Sequence, residues 1–158
     1  RHTLMNKQRL MDASPERPAI VAAITQAWRA SFKGDEEDGD SPLVICIEPM
    51  LDAFGTQLQL MEVLGPMMGP VLKNEESNVK KVRSAWQALQ TPPDLRALLE
   101  AEVAMGVHRK GGIIADPSAA MALLWMRRML QFQASLFEGA IDDASGSLTA
   151  AAKAAYTS

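Results

Sequence analysis

Along most of this chain, apolar residues recur three or four positions apart, and turns containing proline and glycine cut the pattern into pieces of helical length. No stretch alternates apolar and polar residues as a half-buried strand does, and no internal repeat is evident. The pattern predicts an all-α fold. Ser14-Pro15-Glu16 offers an N-cap, a proline at the first helical position and an acid in the first turn, ahead of Ile20, Ile24, Ala27 and Trp28 in a short helix to about Phe32. Lys33 to Asp40 is a dense acidic run with nothing to bury, and it reads as a solvated loop. A second helix follows from Leu43 through Ile47, Met50, Leu51, Phe54, Leu58, Met61 and Leu64, with bends expected at Gly65-Pro66 and Gly69-Pro70. Further helices are expected from Asn74 to Gln90, from Leu95 to about Val107, and from an Asp116-Pro117 cap to about Phe137. Gly139 and the Asp142 to Ser147 stretch close the last of these, and Leu148 to Tyr156 begins another. The organisation expected is an N-terminal tail, short helix and acidic loop over residues 1–40, then one helical domain over residues 41–158.

Charge and cysteine content remove several functions. A net charge of -3 gives no basic face for nucleic acid. One cysteine, Cys46, forms no internal disulfide, and with two histidines it makes no thiolate or imidazole metal cage, so no metal and no cofactor are expected. A reducing, cytoplasmic setting fits. The longest apolar run, Ala119 to Met126, is eight residues, far short of the roughly 20 that span a bilayer, which predicts a soluble protein. His2 sits in a tail and His108 beside a basic loop, without a nucleophile elbow, so no enzyme activity is expected. Ten methionines against four phenylalanines and one tyrosine point to interior surfaces of flexible thioethers, either an ordinary core or a plastic apolar pocket.

Two helices carry more than a core pattern. Between Asn74 and Gln90, Val79, Val82, Trp86 and Leu89 share one stripe, and Asn74, Asn78, Lys81 and Ala85 form a polar row beside it. Ser77, Lys80, Arg83, Ser84 and Gln87 point away. The row is either a solvated flank or the wall of a cleft in which Asn78 and Lys81, one turn apart, grip a polar ligand. The Asp116 helix is apolar nearly all round, which places it centrally. Arg128 lies on its Trp125 side and needs a partner or a wet cavity, a salt bridge being the commoner outcome. Trp125 itself fills a core, the commoner role, or offers a flat face to a sugar ring.

Leu123-Leu124-Trp125-Met126-Arg127-Arg128-Met129-Leu130-Gln131-Phe132 resembles the Leu-Trp-Leu-Lys-Arg-x-Leu-x-Phe helix of the glycolipid transfer proteins. Asn74-Glu75-Glu76-Ser77-Asn78-Val79-Lys80-Lys81 is similar to their Asp-x-x-x-Asn-x-x-Lys helix, and Leu95 to Leu99 with Glu102 to the helix between. The run from Met50 to Leu72, with Phe54 and Leu64-Gly65, resembles the helix that opens to admit acyl chains. The likeness covers about Leu43 to Phe137, more faintly to Tyr156. It implies a two-layer helical sandwich of the glycolipid transfer protein type whose C-terminal helices this chain lacks, together with the family's headgroup histidine.

The function implied is binding of a sphingolipid and its transfer between membranes without chemistry, by a monomer that touches the membrane transiently. The headgroup residues implied are Asn74, Asn78, Lys81 and Trp125. Phe54, Leu58, Met61, Met68, Leu72, Val82, Met121, Leu124 and Phe132 would sheathe the acyl chains. The family's aspartate falls on Asn74, and Glu75, near the apolar stripe, is the acid that could replace it. The ceramide phosphate branch carries arginine where Trp125 and Met121 stand, so glycosylceramide is favoured. The alternative is a helical protein-interaction module that has lost its lipid site. Trp28, Trp86, Arg109-Lys110 and Arg127-Arg128 are the available membrane anchors.

Overall fold

The computed structural model describes residues 16–34, 43–62 and 65–142. The N-terminal tail with its Ser14-Pro15 cap, the acidic residues 35–40, Leu64 and the helix expected at Leu148 to Tyr156 lie outside them. Five α-helices carry the described chain: α1 (Glu16–Ser31), α2 (Ile47–Glu62), α3 (Gly69–Ala88), α4 (Leu95–Ala104) and α5 (Ala119–Asp142). α1 packs along α2, α3 packs along α5, and α2 meets α3, forming a two-layer helical sandwich around one core.

Several boundaries differ from the sequence expectations, each for a local reason. The structure contains one small strand pair, β1 (Phe32–Lys33) antiparallel to β2 (Val44–Ile45), with Phe32 opposite Ile45. Two residues are too few to show alternation, and the backbone bond from Cys46 N to Ser31 O (2.8 Å) continues the clasp into the end of α1. Gly69-Pro70 starts α3 instead of bending the chain. Proline in a first helical turn forfeits only an N–H that has no intrahelical acceptor, so the helix begins five residues before Asn74, after a 3₁₀ turn at Pro66–Met68. Gly139 lies inside α5, which continues to Asp142. α4 stops at Ala104 because Gly106, at φ 67°, turns the chain so that Gly106 N donates to Val103 O and Val107 N to Glu102 O.

The cap of α5 also differs. Ser118, not Asp116, accepts from Met121 N through its hydroxyl (3.0 Å). The buried Glu102 carboxylate takes the two preceding donors, Ala119 N (2.6 Å) and Ala120 N (3.0 Å). One carboxylate of α4 thus fixes where α5 starts, at the positive end of that helix.

The core joins Leu51, Phe54 and Met61 of α2 to Val82 of α3, Leu98 of α4 and Met126, Met129 and Leu136 of α5. Ala119 and Ala122 are also fully buried there, and their small side chains keep the N-terminal turn of α5 close to its neighbours. Burying a side chain such as Phe54 contributes about 2–3 kcal/mol. A polar thread crosses the same interior. Trp28 Nε1 donates to Gln57 Oε1, and Gln57 Nε2 donates to Gln133 Oε1 (2.7 Å), linking α1, α2 and α5. Arg83 does not point away to solvent as the helical wheel suggested; it holds Glu48 with two nitrogens (3.0 and 3.3 Å) and tethers α3 to α2.

Candidate functional site

The outer turns of α3 carry most of the candidate polar residues. Glu75, Asn78 and Val82 fall on its buried face, three and four residues apart. Glu75 is 4% exposed and Asn78 3%. Asn74 Nδ2 donates to Glu75 Oε1 and Asn78 Nδ2 to Glu75 Oε2, both at 3.3 Å, so one carboxylate gathers both amides. Burial pushes the Glu75 carboxyl above the usual carboxylate range, and the two amide bonds only partly oppose that rise. Asn74 itself is exposed, with its side chain turned to Glu75.

Lys81, one turn beyond Asn78, leaves this cluster. Its Nζ reaches Asp116 Oδ1 at 2.8 Å, across to the segment that precedes α5. The pair stands at the edge of a cleft of about 540 Å³ lined in part by Ser77, Lys81, Ser84, Val107 and Ser118. Ser77 and Ser84, which the helical wheel turned outward, therefore face a concavity. Behind it His108 approaches the capping carboxylate, Nε2 to Glu102 Oε2 at 3.5 Å, while Nδ1 accepts from Ala115 N (3.4 Å).

Trp125 is not a core residue. It is 46% exposed on α5, and the Arg128 guanidinium lies over its ring at 4.8 Å from the centroid. Arg128 accordingly finds an aromatic face instead of the expected carboxylate, a cation–π contact worth about 0.5–1 kcal/mol at an exposed site. The structure thus brings Asn74, Glu75 and Asn78 into one hydrogen-bonded group, puts Lys81 with Asp116, and leaves Trp125 on the helix packed against α3.

The apolar candidates divide in a similar way. Phe54, Met61 and Val82 are fully buried, and Leu58 nearly so. Met68, Leu72 and Phe132 pack against that core from its margins, and Met121 and Leu124 are half-buried on α5. Leu58 and Leu72 also line a second cleft, of about 320 Å³, between α2 and α3. Among the described residues no group of three or more His, Cys, Asp or Glu side chains is placed to hold a metal ion.

Sequence reasoning missed two acids that the structure brings to this region. Asp116 looked like a helix cap because it precedes a proline, and only the path of the chain turns it to Lys81, 35 residues away. Glu102 carried a usable signal: it lies four residues after Leu98 on the buried face of α4, where an acid needs a donor partner.

The glycolipid transfer protein family model matches residues 45–158, well over half of the chain. No curated protein matches in sequence. Among solved structures, mouse ceramide-1-phosphate transfer protein in its apo form aligns with a TM-score of 0.67 at 10% identity, over 85% of this chain and 63% of that one. Human ceramide-1-phosphate transfer protein in complex with 12:0 ceramide-1-phosphate aligns with a TM-score of 0.68 at 14% identity, over 85% of this chain and 64% of that one. The chain spans less than two thirds of the length of either, and at these identities the likeness is one of fold. With the family model covering the helices that hold both polar groups, this chain belongs to the glycolipid transfer protein family.

Proposed function

We propose that this protein binds a sphingolipid with a glycosylated headgroup and carries it between membranes as a monomer, making and breaking no covalent bond. The observation that carries the reading is the pairing of α3 and α5: a buried Asn78 and a part-exposed Lys81 on one helix, and a half-exposed Trp125 on the helix packed against it. An indole face suits the C–H side of a sugar ring, and amide and ammonium donors suit its hydroxyls. Headgroup contacts are assigned to Asn78, Lys81 and Trp125, with Glu75 holding Asn74 and Asn78 in place. Phe54, Leu58, Met61, Met68, Leu72, Val82, Met121, Leu124 and Phe132 are assigned to the acyl chains, which need a dry, adaptable sleeve because each exposed CH₂ costs about 0.8 kcal/mol.

Local charge favours sugar over phosphate. Lys81 is already matched by Asp116, so an anionic headgroup reaching for that ammonium meets a carboxylate beside it. Ceramide-1-phosphate is the ligand in the human structure of similar fold, which makes it the natural competitor in a test.

Membrane contact is assigned to the α4–α5 connection. Met105, Val107, Ile113 and Ile114 are exposed there, with Val103 of the last turn of α4, around the exposed basic pair Arg109-Lys110. Apolar side chains with a cationic rim suit an anionic bilayer surface. No helix among the described residues is long and apolar enough to cross a membrane.

Native mass spectrometry and thermal melts with glucosylceramide, ceramide-1-phosphate and phosphatidylcholine test the proposal. One glucosylceramide per chain, with the largest rise in Tm of the three, is expected. A protein that ignores all three lipids would instead be a helical interaction module built on the same fold.

A further inference from the structure

A neutral sugar headgroup presents hydroxyls that donate as well as accept, so a site that holds it needs hydrogen-bond acceptors beside its donors. On α3 the Lys81 ammonium is a donor, and the Asn78 amide N–H is already given to Glu75. The one buried carboxylate of α3, Glu75, has each oxygen taken by an asparagine amide and is biased by burial towards its protonated form. The acceptor in contact with Lys81 belongs instead to the segment before α5. Asp116 gives Oδ1 to Lys81 at 2.8 Å, and its side chain remains 57% exposed. A carboxylate accepts about four hydrogen bonds, so one lysine leaves most of its capacity open to a ligand.

The backbone around Asp116 is held from both sides. Ala115 N donates to His108 Nδ1, the Ser118 hydroxyl donates to Ala115 O (2.6 Å), and Glu102 pins the next two amides of α5. A group fixed in this way meets a ligand without first losing its own freedom. Lys81, Pro117 and Ser118 line the 540 Å³ cleft beside it.

We infer that Asp116 is a specificity-determining headgroup residue, a carboxylate that accepts from sugar hydroxyls at the edge of this cleft while it neutralises Lys81. It rests on the sphingolipid reading above and adds a charged acceptor to it. The same carboxylate selects against phosphate, because an anion reaching for Lys81 must displace it.

The test measures equilibrium binding of glucosylceramide, unglycosylated ceramide and ceramide-1-phosphate to the full-length protein and to Asp116→Asn and Asp116→Glu. Asp116→Asn is expected to weaken glucosylceramide about tenfold, the worth of one hydrogen bond to a charged group, and to change ceramide less than about twofold. Asp116→Glu, which keeps the carboxylate, should recover part of the loss. Melts of both variants close to that of the parent would show an intact fold, as expected for a solvent-exposed pair. Unchanged glucosylceramide affinity in Asp116→Asn, with the parent binding normally, overturns the inference and leaves a surface ion pair. A gain in ceramide-1-phosphate without loss of glucosylceramide overturns it too, because Asp116 would then only mask Lys81. A parent protein that binds none of the three lipids overturns the carrier reading first, and the inference with it.

Discussion

Two hydrogen-bonded side-chain clusters in this molecule differ in their wiring. Trp28, Gln57 and Gln133 belong to three helices, and the two glutamines that meet are 76 residues apart, so each bond in that thread holds the tertiary structure together. Asn74, Glu75 and Asn78 belong to one helix, and their bonds span one and three residues. Bonds within a helix tie no elements to one another. The first cluster therefore reads as a fastener, and the second as buried polarity that fastens no second element. The fastener is not fully satisfied, since Gln133 Nε2 is buried with no partner among the described residues, a cost of about 1–3 kcal/mol.

Substitutions that hit one cluster and spare the other separate the two roles. Gln57→Ala strands both the Trp28 indole N–H and the Gln133 carbonyl, and should lower unfolding free energy by about 2–3 kcal/mol in urea titrations. Lipid pickup should survive it wherever the protein stays folded. Asn78→Ala is the counterpart. It should cost about 1 kcal/mol of stability yet lower glucosylceramide affinity at least tenfold, read by a fluorescent-lipid transfer assay. Equal losses of stability in the two variants would dissolve the distinction.

Glu75→Gln sharpens the comparison through pH. The folded carboxyl titrates above its unfolded counterpart, so the folded state holds the extra proton between the two values. Its contribution is present at acid pH and is lost as pH rises from the ordinary carboxylate range through the raised value. The unfolding midpoint of the parent should therefore fall across that window more steeply than that of Glu75→Gln, and parallel curves would remove Glu75 as the source. Trp125→Ala should move stability by less than about 1 kcal/mol, since the ring is half-exposed, while abolishing lipid pickup. The smallest effect belongs to Asn74→Ala, an exposed position, at about 0.5 kcal/mol or less.

Much of the helical scaffold was legible because its cause is local. Ile47, Met50, Leu51, Phe54, Leu58 and Met61 are buried on one face of α2, and the spacing alone announced that face. The Asp94 N-cap that opens α4, accepting from Ala97 N at 2.8 Å, directly precedes Leu95, where the sequence places the start of that helix. The site was harder to read. Helical position made Asn78, Lys81 and Trp125 candidates and the family resemblance gave them roles, but neither described their surroundings. Trp125 looked like core because the residues around it are apolar, and its exposure depends on which side of α5 faces α3. Gly69-Pro70 looked like a bend because the same pair suits a kink or a first turn, and only the neighbouring backbone decides which.

The sequence by itself determined an all-α chain and the apolar face of α2, because helical periodicity and cap chemistry act over three or four residues. It also carried the two motifs that mark the family. Only the tertiary structure decided that Asp116 would reach Lys81, that Glu102 would cap α5 and that Arg128 would lie over Trp125. The first two join separate stretches of chain, and the third depends on which face of one helix its neighbours leave open. A hydrogen bond between distant residues has no period to announce it; it exists only once packing has brought the groups together.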